Sequence, residues 1–173
     1  MNNYFLQKTR EGKVFHSHNT TTGAVTVLSS TFTGLCLDNP YGSGKDLIIE
    51  SMSFVGSTLG AIGEIGVCIA PNVSTIAQTG TAAVVHNGKL GGGDLHKGVG
   101  RTFSISTLLS TPVWLETIGS ARVTANAVEG LESLYKRFDG TLVIAPGFYV
   151  GLQTLTTART GLCSITWAED DIL

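Results

Sequence analysis

The sequence predicts an all-β chain, a two-sheet antiparallel β-sandwich of jelly-roll type with an extended N-terminal arm. Three observations predict it. Gly and Thr each occur 22 times in 173 residues, and Thr favours strands while Gly favours turns. Apolar and polar residues alternate with a period of two in one short run after another. The runs end in turn clusters, as at Asp38-Asn39-Pro40 and Pro71-Asn72, and short strands joined by turns are the pattern of sandwiches and barrels. The length suits one domain with an arm, and such a domain buries enough surface to need neither metal nor disulfide staple. The expected division is an arm over residues 1–22 and a sandwich over residues 23–173.

The arm is polar and carries a basic cluster, Lys8, Arg10 and Lys13, diluted by Glu11. Asn19-Thr20-Thr21-Thr22-Gly23 reads as a turn or linker. The segment is therefore expected as an arm, or as a loosely attached first strand. Residues 25–28 and 31–37 are strands, and a turn cluster follows through Tyr41-Gly42-Ser43-Gly44. Residues 47–55 form the next strand, with Ile48, Glu50, Met52 and Phe54 on one face and Leu47, Ile49, Ser51, Ser53 and Val55 on the other. Glu50 breaks the alternation, so either face can be the buried one. Residues 62–70 are a further strand.

Residues 71–101 are less regular. Gln78-Thr79-Gly80 and Gly91-Gly92-Gly93 interrupt them around a short strand at 82–86. Strands follow at 103–109 and 113–118. Residues 123–134 are ambiguous: Ala127, Leu131, Leu134 and Phe138 fit a helical stripe, yet Gly130 weakens a helix there. Residues 134–138 then run into Asp139-Gly140, a two-residue hairpin signal, with 141–145 pairing back. Pro146-Gly147 fits the centre of a type II turn. Residues 148–155 alternate, 157–161 turn, and 162–168 close the sheet.

Motifs for chemistry are sparse. Asn39 to Asp46 looks like a phosphate loop, but a Walker loop needs Gly at 39 and Ser or Thr at 46, with a helix after it. A strand follows instead, so the segment reads as an inter-strand loop. His16-Ser17-His18 could place two imidazoles on one side of a strand, as in cupin-type metal sites, yet no Glu follows to complete the set. His86 and His96 have no regular spacing, and no metal site or cofactor is expected. Neither Gly-x-Ser-x-Gly nor His-Glu-x-x-His occurs, so no enzyme activity is expected. Glu50, Glu64 and Glu116 are single carboxylates in apolar runs and read as solvent-facing strand positions. Cys36, Cys68 and Cys163 stand in separate apolar runs and read as buried thiols.

Charge is the positive signal. Only 14% of residues are charged, against about 25% in an ordinary domain. No Asp, Glu, Lys or Arg stands between Val14 and Leu37, and only Glu64 between Ser51 and Gly88. A free monomer uses interspersed charge to stay soluble and blunt its sheet edges, so part of this surface is expected to be covered by copies of the chain or by another protein. A net charge of −2 argues against nucleic-acid binding through a global basic field. No leader pattern opens the chain and no apolar run spans a membrane, so the expectation is a protein made in a cytoplasm. Glu169-Asp170-Asp171 is an acidic tail, either solvated or docked on a neighbouring molecule of complementary charge.

The phrase Asp38-Asn39-Pro40-Tyr41-Gly42-Ser43-Gly44-Lys45-Asp46-Leu47-Ile48-Ile49 resembles one in tailed-phage structural proteins, where an Asn-Pro-x-Gly-Ser-Gly loop leads into a long apolar strand. The ending is similar too: Asp139-Gly140-Thr141-Leu142-Val143-Ile144-Ala145-Pro146-Gly147, Gly151-Leu152-Gln153-Thr154, and Gly161 through Glu169. The resemblance covers about a third of the chain and rests on scaffold motifs. It implies a virion jelly-roll protein, and within that class a capsid decoration (cement) protein, often trimeric. The expected partners are further copies of the chain in a homotrimer and the major capsid protein of a phage head, with no nucleic acid and no membrane. Lys8, Arg10 and Lys13 are the expected capsid contacts. The alternatives are a receptor- or glycan-binding module using loop 88–93 with Trp114 or Tyr41, and a cupin-like metal enzyme using His16 and His18.

Overall fold

A computed structural model describes residues 3–19, 23–32, 34–57, 63–72, 80–91, 97–121 and 133–172. The ambiguous stretch 123–134 lies outside these residues through 132, as do His96, Gly92, Gly93, Gln78 and Thr79.

The chain is a two-sheet antiparallel sandwich. Its elements are α1 (Asn3–Arg10), β1 (Val14–His18), β2 (Gly23–Val25), β3 (Thr31–Phe32), β4 (Cys36–Asn39), β5 (Lys45–Gly56), β6 (Gly63–Pro71), β7 (Gly80–Ala82), β8 (Val85–Asn87), β9 (Arg101–Thr107), β10 (Val113–Ala121), β11 (Ser133–Ile144), β12 (Phe148–Thr154) and β13 (Arg159–Asp171). The first sheet runs β11-β5-β13-β1-β8, with β2 also on β13. The second runs β10-β6-β12-β4-β9-β3, with β7 also on β9.

The core lies between the sheets. Leu37, Ile49, Phe54, Val150, Leu152 and Trp167 are each fully buried there. Phe15 stacks on Trp167 with ring centroids 5.8 Å apart. A smaller apolar layer of Cys36, Cys68, Leu108 and Tyr149 forms separately. All three cysteines are buried and free. Burial pushes the Cys68 and Cys163 thiols up to about 12, so both stay protonated at neutral pH.

Two crossings between the sheets meet at Asn39. The chain leaves β4 in one sheet for β5 in the other through residues 40–44, with Gly42 at φ 74° and Gly44 at φ 70°. The Asn39 amide donates to the carbonyls of Lys45 and Ile144, each at 2.7 Å, and accepts from the Ser43 hydroxyl at 2.6 Å. The turn at Pro146-Gly147 carries the chain back from β11 to β12. Gly147 has φ 81° there, as a type II turn requires, and its N–H donates to the Asn39 carbonyl at 2.9 Å. The loop that resembles a phosphate cradle thus has its central side chain committed to the turn.

Glu50 marks a change of face within β5. Thr166 pairs with Ser51 and Trp167 with Ile49, so Glu50 is the extra residue of a bulge. Before it Leu47 and Ile49 point inward; after it Met52 and Phe54 do. Both faces of the sequence pattern are right, each for one half of the strand.

Two expectations need correction. Asp139-Gly140 is not a hairpin. Both residues adopt positive φ, 51° and 84°, but Arg137 pairs with Ser51 and Leu142 with Ile49 on the same partner strand. The pair forms a wide bulge opposite Glu50, closed by the Thr141 hydroxyl donating to the Phe138 carbonyl at 2.7 Å. Nor do residues 3–18 form an extended arm. They build α1 and β1, and β1 lies between β13 and β8 with Phe15 in the core.

Gly161 tests the packing of β13 on β5. A Cβ there would collide with the Val55 carbonyl and stand 2.6 Å from Phe54 ring carbons. Overpacking of this kind costs about 1–3 kcal/mol. Gly161→Ala should therefore lower the thermal midpoint by several degrees, and an unchanged midpoint would contradict this packing.

Candidate functional site

The two ends of the chain meet at one corner of the sandwich. Helix α1 stops in a Schellman arrangement: the Gly12 N–H donates to the Thr9 carbonyl at 3.0 Å and the Lys13 N–H to the Lys8 carbonyl at 2.9 Å. Gly12 takes φ 73°, which a glycine allows without strain. The helix is too short to persist alone in water. It is held by Phe5, which packs with Val14 and Ala168, and by two polar clamps on β13. The Tyr4 hydroxyl donates to Asp170 at 2.7 Å, and the Lys8 ammonium donates to the other Asp170 oxygen at 2.5 Å.

These contacts set the local titrations. Burial acts to raise the Asp170 carboxyl, but the hydrogen bonds from Lys8 and Tyr4 outweigh it and hold the group below the usual Asp range. The hydrogen bond to Asp170 raises Lys8 in turn. Asp171 is lowered by its hydrogen bond from Lys45 at 2.6 Å. Glu169 is different: it is buried and fully engaged. Its carboxylate accepts from the Val99 N–H at 2.8 Å, the Gly100 N–H at 2.9 Å and the Trp167 indole N–H at 3.1 Å. The acidic tail therefore has one internal anchor and two residues paired with lysines of the same chain.

The three basic residues expected at a partner fall into two groups. Lys8 is turned inward, with its side chain 14% exposed. Arg10 is exposed on the last turn of α1. Lys13 is 42% exposed and stands 3.6 Å from Glu11. Beside them lies a pocket of about 240 Å³ whose lining includes Lys13, Lys45 and Lys97, with Phe15 and Val99 as its apolar part. Lys45 and Lys97 were not legible as members of this corner, because only the fold brings residues 45 and 97 beside residue 13. The Glu169 anchor had a signal, since Trp167 and Glu169 share one face of a strand.

Comparison with known family models, with characterised proteins and with solved structures finds no match for the chain.

The other singled-out residues lie elsewhere. His16 sits directly across from His86 on the β1–β8 ladder, and the ring of His18 lies 6.2 Å from that of His86. The three imidazoles form an exposed row. The His16 Nδ1 is 3.1 Å from the Thr166 hydroxyl. Burial, with the neighbouring His86, lowers the His16 pKa against the opposing pull of Glu50. Among the described residues no group of three or more His, Cys, Asp or Glu is arranged to hold a metal ion. Tyr41 is 59% exposed beside Gly147, whereas Trp114 is half-buried and lies across Gly66. The two aromatics thus differ as platforms for a sugar ring. Of loop 88–93, Gly88 faces the His16 ring and Gly91 takes φ 83°.

Asp170 and Glu169 make separable predictions. Asp170→Asn should cost about 1 kcal/mol at neutral pH, the upper range for a partly exposed pair. Because the folded-state pKa is depressed, this contribution is complete above the ordinary Asp pKa and disappears as pH falls through the folded value. Denaturant melts of both proteins from pH 7 to pH 2 should therefore converge at the acid end; a pH-independent gap would contradict the pairing. Glu169→Ala leaves three donors unpaired, two of them buried, and should cost several times more, at about 1–3 kcal/mol per buried group.

Proposed function

We propose that this protein is a structural component of a phage particle, a capsid decoration (cement) protein of jelly-roll type. It binds the assembled head as a homotrimer and stabilises it. Two lines support the reading. The first is the resemblance to tailed-phage structural proteins, carried by segments that the fold uses as sheet crossings and as β13. The second, which carries the mechanism, is the segregation of charge. Few residues of this chain are charged, and many of those gather at the corner where its ends meet. Arg10 and Lys13 stay at the surface there, on elements clamped to the sheet, next to a pocket lined by Lys13, Lys45 and Lys97 together with Glu11 and Glu169.

The mechanism is adhesion. The exposed Arg10 and Lys13 meet an acidic strip on the shell, and several copies in one oligomer make a weak single contact tight. A protein that binds only the assembled shell stabilises it by mass action. On this reading the protein is not an enzyme, and it works at the capsid surface after synthesis in the host cytoplasm. Among the described residues no helix is long and apolar enough to cross a membrane.

Removing residues 1–22 is a poor test, because it takes β1 out of the sheet. Charge reversal is better. Arg10→Glu with Lys13→Glu should leave the melting curve intact and weaken cosedimentation with undecorated heads by at least about tenfold, as expected for losing more than 1.4 kcal/mol of contact. The remaining binding should fall further with added salt. Wild-type protein that never cosediments would overturn the decoration reading; full binding by the double variant would overturn the role of this corner.

A further inference from the structure

β10 ends the second sheet and β11 ends the first, and among the described residues neither has a partner strand on its outer side. The two edges run beside each other. Between them opens a groove of about 250 Å³ lined by apolar residues, among them Ile69, Leu115, Leu142, Ile144 and Phe148. Three of these side chains, Ile69, Leu142 and Ile144, belong to the core side of their strands. Ile144 is part of the central cluster, and Ile69 and Leu142 pack against it. The core therefore opens to solvent here. Val113, which pairs with Ile69, is 64% exposed, Leu115 is 45% exposed and Phe148 is 39% exposed. Contiguous apolar surface of this kind marks an interaction site in a soluble protein.

The rim says what fits. Glu116 on β10 lies 3.2 Å from Lys136 on β11, and Arg137 lies 2.7 Å from Asp139. Arg137 also lies 3.5 Å from Glu50 on β5. Three acids and two bases leave no net positive charge, which suits neither nucleic acid nor an anionic membrane. They do suit further copies about a threefold axis, with the Glu116 of each copy facing the Lys136 of the next. We infer that the β10–β11 seam is the surface through which copies of this chain associate. The inference rests on the self-association in the functional reading above and names its surface. A standard interface hides about 800 Å² per partner, more than the groove alone offers, so the unpaired strand edges on both sides extend the contact through main-chain hydrogen bonds.

Light scattering of the full chain across a dilution series tests this. The intact protein should show a multiple of the 18.1 kDa protomer mass. Val113→Asp and Leu115→Asp should each shift it to a single protomer without loss of strand signal in circular dichroism. Lys136→Glu should do the same through the rim, and adding Glu116→Lys to it should restore the oligomer. A single protomer mass for the intact protein at every concentration overturns the inference, and so does an oligomer that all three single variants leave unchanged. The readout is separate from head binding. An oligomer that ignores heads leaves the seam standing and removes the decoration reading.

Discussion

The central strand β13 imposes the constraint on which the first sheet depends. Its thirteen residues run from Arg159 to Asp171 and carry Trp167, Ile165 and Cys163 into the core. A strand buried this deeply needs its backbone groups paired along both sides. β5 covers one side from Gly161 to Asp171. The other side is covered in two pieces, by β1 against Ser164–Ala168 and by β2 against Arg159–Gly161. The N-terminal segment is thus a sheet component because the last strand requires a neighbour. Sequence ends become spatial neighbours, and their opposite charges neutralise each other within one chain.

Two bulges make the long strands compatible with one core. β5, β11 and β13 are all longer than an average strand, and their natural twist would carry their side chains off the core face. The slip at Glu50 resets β5 against β13, and the wide bulge at Asp139-Gly140 resets β11 against β5 at the same height. The single charge in an apolar run sits where the pattern must break. Its carboxylate points to Arg137 at 3.5 Å, on the strand that bulges opposite it.

Local signals were legible where a local cause decides the outcome. Pro146-Gly147 needs only its own dihedrals, and the alternation of 148–155 marks Val150 and Leu152 for the central core, although Tyr149 and Gln153 on the other face are buried too. Asp139-Gly140 shows the limit. The same positive φ values serve a hairpin and a bulge, and only the identity of the partner strand separates them. Helix α1 was illegible for a related reason. Eight residues carry too little intrinsic helicity, and its clamp, Asp170, lies more than 160 positions away. Lys8, Arg10 and Lys13 were readable as a basic cluster, and Glu169-Asp170-Asp171 as an acidic one. That the two meet inside one chain, with Lys8 spent on Asp170 and Arg10 left free at the surface, depends on β1 pairing with β13.

The uneven use of charge connects the corner to the seam. A sandwich has two open flanks, and each must be dealt with by pairing, covering or charging. On the β1 side the first sheet ends in β8, only three residues long, and α1 packs on Val14 and Ala168. On the β10–β11 side two long strands end the sheets, with ion pairs beside an apolar opening. Putting lysines into that opening would solubilise a monomer; the sequence instead puts Val113 and Leu115 there and gathers Lys13, Lys45 and Lys97, with Glu11 and Glu169, around the pocket on the β1 side. The two sides therefore differ in chemistry: apolar side chains line the β10–β11 seam, and charged ones of both signs gather where α1 meets β13.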